Sequence, residues 1–195
     1  MAVVSIKNKL RRGNLLVGND AYDPGGFHPI ATVTSTGSAG DIVFSSIPGT
    51  YTHLQIRGML RTNDTGTFNN QSMRFNSDTG TNYKSHFLKG NGTTATSGVV
   101  SETNKFNDFM RAASNSLTAG IFSVIIMDIL DYANTNKYKT FRALQGGNTT
   151  GSGEVGLNSG VYMSTNAITT ITISPSGGTA IQYSTFALYG IKATS

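Results

Sequence analysis

Three histidines and ten carboxylates carry most of the chemistry this chain could perform. His28, His53 and His86, set among many serines, raise the idea of a Ser-His-Asp hydrolase. Such a site needs the serine on a strained turn, usually written Gly-x-Ser-x-Gly. The stretch GLNSG from Gly156 to Gly160 does not have that spacing. His53 and His86 sit beside Leu54 and Phe87 in strand-like runs, which suits histidines with structural roles. No two histidines have the short spacing of a zinc site. Asp128, Asp131, Asn134 and Asn136 could offer oxygens to calcium around one loop, but without EF-hand spacing. Asx turns at the end of a strand account for them as well. A glycosidase needs two placed carboxylates. Only two of the ten acids are Glu, and they are scattered. GGNTTGSG, Gly146 to Gly153, lacks the Lys-Ser/Thr ending of a phosphate loop and reads as a hairpin turn. Tyr132 and Tyr138, in DYANTNKYK, could stack on a sugar without cleaving it. No catalytic residue, metal or cofactor is expected.

The elements that would position these groups are strands. Charged residues make up 13% of the chain, against roughly 25% in an average soluble protein. Gly is frequent, and polar faces are mostly Ser, Thr and Asn, which suit strands and tight turns. The 195 residues are enough for one stable core without cross-links, and Cys is absent. From Ile30 onward, about ten short runs are separated by turn signals. AITTITISPSGGTAIQYSTFALYGIK alternates, breaks at Pro-Ser-Gly-Gly and alternates again, as a closing hairpin would. SMRFNSDTGTNYKSHFLKGNG predicts a second hairpin around Asp-Thr-Gly. In YTHLQIRGMLRT, Leu54, Ile56 and Leu60 share a face, and Gly58 marks a bulge or a close backbone approach. FSVIIMDIL is continuous enough for a strand buried on both faces. Phe106, Phe109 and Met110 follow helical spacing, so a short helix or an irregular loop is expected there.

Residues 1–28 differ from the rest. They carry Lys7, Lys9, Arg11 and Arg12, then Leu15 and Leu16, then the turn signal Asp-Pro-Gly-Gly. The order of apolar and basic residues reverses that of a secretory leader. No apolar run approaches the length of a membrane span, so membrane insertion is not expected. The net charge is +5, with four cations clustered in this arm, and no basic stripe with interleaved aromatics runs through the body. A nucleic-acid partner is therefore not expected. The fold predicted is an all-β, antiparallel, jelly-roll-like sandwich over residues 29–195, with an extended N-terminal docking arm over 1–28. The six arm residues named above are the candidate docking contacts, since an extended segment can add to a neighbour's sheet edge.

Several stretches resemble a family of small jelly-roll proteins encoded by tailed bacteriophages and prophages. They are FSSIPGTYTHLQIRGMLRT, MRFNSDTGTNYKSHFLKGNG, DYANTNKYKTFRALQGGN, GVYMSTNAITTITISPSGG and STFALYGIK. The likeness spans roughly Ile30 to Lys192, and the arm SIKNKLRRGNLLVGNDAY resembles the leader of such proteins. Tyr162 stands where many relatives carry Trp. The resemblance implies a virion component made in the host cytoplasm: a head decoration (cement) protein or a tail-fibre-like appendage, with no catalytic residues. The partners expected are copies of itself, as a homotrimer, and other virion proteins such as the major capsid protein. An adhesin binding a host surface glycan is the alternative.

Overall fold

The computed structural model describes residues 26–37, 40–100, 102–149, 151 and 153–192. They form twelve strands. β1 (Phe27–Thr34), β2 (Ile42–Phe44), β3 (His53–Leu60) and β4 (Phe68–Phe75) come first. β5 (Tyr83–Gly90), β6 (Ala95–Val100), β7 (Phe106–Ala113) and β8 (Ser123–Leu130) follow. β9 (Lys139–Asn148), β10 (Gly153–Tyr162), β11 (Ile171–Pro175) and β12 (Thr185–Ile191) complete the chain. An eight-stranded sheet runs β1-β12-β3-β8-β9-β10-β5-β6, and a four-stranded sheet runs β2-β11-β4-β7.

The pairing describes one long hairpin rolled up. β5 pairs with β6 at its tip, then β4 with β7, β3 with β8, β2 with β11 and β1 with β12, all antiparallel. Successive pairs alternate between the two sheets. That alternation is the jelly roll, with one addition: the β9–β10 hairpin is inserted between β8 and β5. It widens the large sheet and leaves the rolled pairing intact.

Four local expectations change. The hairpin around Asp-Thr-Gly is a crossover, because β4 lies in the small sheet and β5 in the large one. Asn76 and Ser77 have φ of 53° and 56°, which turns the chain out of its layer. The Asp78 carboxylate then accepts bonds from the Gly80 N–H (2.7 Å), Asn82 Nδ2 (2.8 Å) and the Tyr162 hydroxyl (2.8 Å). The closing hairpin is also a crossover, from β11 to β12. Its linker is tied to the end of β3 by Ile181 N–H to the Arg61 carbonyl (2.9 Å) and by the Thr62–Ala180 bridge.

The segment with helical spacing is strand β7. Its pairing with β4 shifts register, and Asp108 at the irregularity has a φ of 53°. Three residues of β7, Asn107 to Phe109, lie opposite the single Ser72 of β4, which interrupts the alternation. Phe106, Phe109 and Met110 can therefore all point inward, at 1% exposure or less, in an extended chain. β8 is buried on one face only: Ile125, Met127 and Ile129 face the core, while Val124 and Ile126 are half exposed.

The core between the sheets contains a cluster of five packed rings. Phe75, Tyr83, Phe106, Phe141 and Tyr162 meet mostly edge to face, with centroids 4.8–5.6 Å apart. Burying each such ring contributes about 1.5–3 kcal/mol. Gly58 gives the close approach that the sequence suggests, and pairing runs through it without a bulge. A Cβ there would fall 2.3 Å from the Phe186 ring. At the chain's entry, β1 begins at Phe27, so the last two residues assigned to the arm are strand.

The Asp78 junction gives a prediction. The hydrogen bonds from Asn82, Gly80 and Tyr162 hold its carboxyl below the usual aspartate range. An acid lowered in the fold stabilises above its unfolded pKa and loses that contribution as pH falls through the folded value. Urea midpoints measured downward from pH 5 should therefore fall less steeply for Asp78→Asn than for the unaltered chain. Parallel pH curves would refute this role.

Candidate functional site

The residues with catalytic potential are dispersed. His28 lies on edge strand β1 against the Tyr51 ring, with centroids 5.5 Å apart. His86 lies on β5, six strands away, or roughly 29 Å at the usual strand spacing. His53, on β3, uses Nδ1 to accept the backbone N–H of Asp131 at 3.0 Å. The Asp131 carboxylate pairs with Lys137 at 2.5 Å. Asp128 accepts Gln55 Nε2 at 2.8 Å, and Asn134 accepts the Asn136 N–H at 2.8 Å in an Asx turn. Side-chain oxygens of Asp128, Asp131 and Asn134 are thus engaged by their own chain. Among the described residues no three His, Cys, Asp or Glu side chains are grouped to hold a metal ion.

Of the glycine-rich GGNTTGSG, Gly146, Gly147 and Asn148 end β9 and Gly153 begins β10. With the Gly90–Gly92 turn this stretch borders an open cleft of about 430 Å³, and Glu154 lines that cleft. A carboxylate there opposes an anionic ligand.

A charged seam closes the gap between the free edge of β7 and the wider large sheet. Arg111 meets Glu154 at 2.7 Å, and Lys89 meets Asp108 at 3.6 Å. Burial pushes the Asp108 carboxyl up, against the pull of Lys89 and Arg111. Burial likewise raises Glu102, which accepts Ser85 Oγ and the Asn107 N–H at 2.5 and 2.7 Å. Lys89, the Asp108–Arg111 pair of β7 and Glu154 come from three different strands, so no local spacing in the sequence announces them.

Tyr132 and Tyr138 part company. Tyr138 is 54% exposed on the β8–β9 loop. Tyr132 is fully buried, and its hydroxyl donates to the Pro48 carbonyl. It is a core residue and cannot meet a receptor. Lys7, Lys9, Arg11, Arg12, Leu15 and Leu16 lie outside the described residues.

The feature that stands out is the outer face of the large sheet. Register places Ile126, Leu144, Leu157 and Leu88 side by side across β8, β9, β10 and β5. Each is 46–53% exposed. The row on one side is Met59, Val124, Gly146, Val155 and Gly90. The row on the other is polar: Gln55, Asp128, Arg142, Ser159 and His86. The aliphatic row and, from the polar row, Asp128, Arg142, Ser159 and His86 line a shallow groove of about 620 Å³. At the β1 side the face changes character: Arg57 lies 5.3 and 5.7 Å from the centroids of Phe27 and Tyr189.

Sequence reasoning missed this face because it assigned the apolar residues of β8 to two buried sides. In an antiparallel sandwich one side of each sheet is solvated. Apolar residues on both sides of β8 were the signal available. Contiguous apolar surface of this kind marks an interaction site. Searches for relatives supply no outside guide to it: no protein-family model, no curated protein and no solved structure matches the chain.

Proposed function

We propose that the chain is a non-enzymatic structural protein of a tailed-phage virion, an oligomeric capsid decoration (cement) protein. The observation that carries this reading is the in-register aliphatic row Ile126–Leu144–Leu157–Leu88 left open on a rigid sheet. Folding gains nothing from leaving those side chains in water, whereas assembly does. The sequence resemblance supplies the virion context. In this reading the arm holds the particle and the body holds its neighbours. A protein that binds only the intact shell stabilises that shell by mass action. Of its two named tyrosines, the adhesin alternative loses Tyr132, which is core, and keeps Tyr138.

The test uses particles stripped of the protein and the purified full chain. The full chain should co-sediment with them and raise the temperature at which they release DNA. Deleting residues 1–22 should leave a folded body that no longer co-sediments. Binding of the full chain should weaken as salt rises, because the arm's cations are screened. Equal decoration by the truncated chain would remove the docking role of the arm. A full chain that never associates with particles would remove the virion reading itself.

A further inference from the structure

We infer that the outer face of the large sheet docks against the same face of a second copy, about a two-fold axis parallel to the strands and between β9 and β10. This deepens the structural reading by naming the partner of the open face. It concerns the purified chain alone, so it can fail while particle binding stands.

The aliphatic row fixes the axis. It spans β8, β9, β10 and β5, and its midpoint lies between β9 and β10. Rotation about an axis there, along the strands, keeps each row opposite itself and exchanges β9 with β10 and β8 with β5. Ile126 then faces Leu88 of the other copy, and Leu144 faces Leu157. In the next row, Val124 faces Gly90 and Val155 faces Gly146. Each valine thus meets a position with no side chain, as a knob meets a hole. In the polar row, Asp128 faces His86 and Arg142 faces Ser159. One strand further out, Arg57 faces Ser97 and Met59 faces Ala95. No like charges are opposed in these three rows.

Other placements do worse. An axis perpendicular to the strands through the aliphatic row would set Asp128 against Val124 and Arg142 against Gly146. Residues 1–22 are a poorer occupant because they are basic. The face itself already holds Arg57 and Arg142 against the single acid Asp128.

Shape and size agree with this partner. A twisted sheet is a saddle, and a saddle turned about an axis along its strands matches itself, as in aligned sheet packing. Six strands about 4.8 Å apart and three rows about 6.8 Å apart give a face of roughly 29 by 20 Å. Two such faces bury on the order of 1,200 Å², the lower bound for a specific, stable interface.

The test is sedimentation equilibrium of the full chain with two variants, each checked for an unchanged β-sheet spectrum. The chain should be dimeric at about 100 µM, well above a micromolar dissociation constant. Leu144→Asp should be monomeric there, because it places a charge against Leu157 of the other copy. Gly146→Val adds apolar surface yet fills the hole for Val155, so it should weaken association by about tenfold or more. A Cβ at Gly146 meets only the Glu154 carbonyl at 3.7 Å, an ordinary contact that leaves the fold intact. Three results would overturn the inference: a monomeric unaltered chain, a trimer indifferent to Leu144→Asp, or tighter association of Gly146→Val.

Discussion

Replacing Phe106 by Ala should bring the domain close to unfolding at room temperature. The ring is fully buried and meets Phe75, Tyr83 and Phe141 at centroid distances of 5.6, 4.9 and 4.8 Å. Removing a buried phenylalanine costs about 3–5 kcal/mol. Each aromatic pair adds about 0.5–1.5 kcal/mol beyond burial. A domain of this size has about 5–15 kcal/mol in total. Phe106→Leu keeps most of the volume and should cost less than about 1.5 kcal/mol plus the lost ring pairs. Urea denaturation followed by far-ultraviolet circular dichroism measures both. A loss below about 1 kcal/mol for the alanine variant would mean that β7 does not anchor the aromatic cluster of the core.

Tyr132→Ala should cost a similar amount, about 3–5 kcal/mol, through the cavity it leaves. Tyr132→Phe separates packing from hydrogen bonding. Its hydroxyl donates to the Pro48 carbonyl and accepts the Tyr51 N–H at 3.4 Å. Removing it should cost about 1–2 kcal/mol, mainly from the carbonyl left unpaired. Tyr138→Ala, on the same loop but exposed, should stay within about 0.5 kcal/mol of the unaltered chain. Thermal and urea midpoints decide among these outcomes. The pair also guards a binding experiment. Lost glycan binding in Tyr132→Ala would report a damaged fold, whereas lost binding in Tyr138→Ala would report a contact. Equal stability of Tyr132→Ala and the unaltered chain would contradict the buried position.

Strands were legible wherever alternation is regular. Ile171 and Ile173 read correctly because β11 has no bulge, and the β9–β10 hairpin read correctly because its glycine-rich turn is local. The error at β7 has a definite cause. Two extra residues on β7 put Phe109 and Met110 onto helical spacing with Phe106, and spacing alone cannot separate a bulged strand from a turn of helix. The two hairpins that proved to be crossovers fail for a different reason. A turn signal shows that the chain reverses, but it does not say whether it returns to the same layer. At Asp78 the answer lies in the Tyr162 hydroxyl, far along the chain. The candidate site was the least legible part. Leu88, Ile126, Leu144 and Leu157 are unremarkable singly, and only pairing register makes them a row.

The inserted β9–β10 hairpin has a consequence for how this scaffold can change. It contributes Leu144, Gly146, Val155 and Leu157, the middle of the open face, as one contiguous segment whose two edges pair with β8 and β5. The rolled pairs on either side are complete without it. Mutations confined to its outward positions can re-specify what the surface adheres to while the underlying roll keeps its order. Attachment and architecture can therefore drift separately, with the first written on alternate residues of a single loop-closed ribbon.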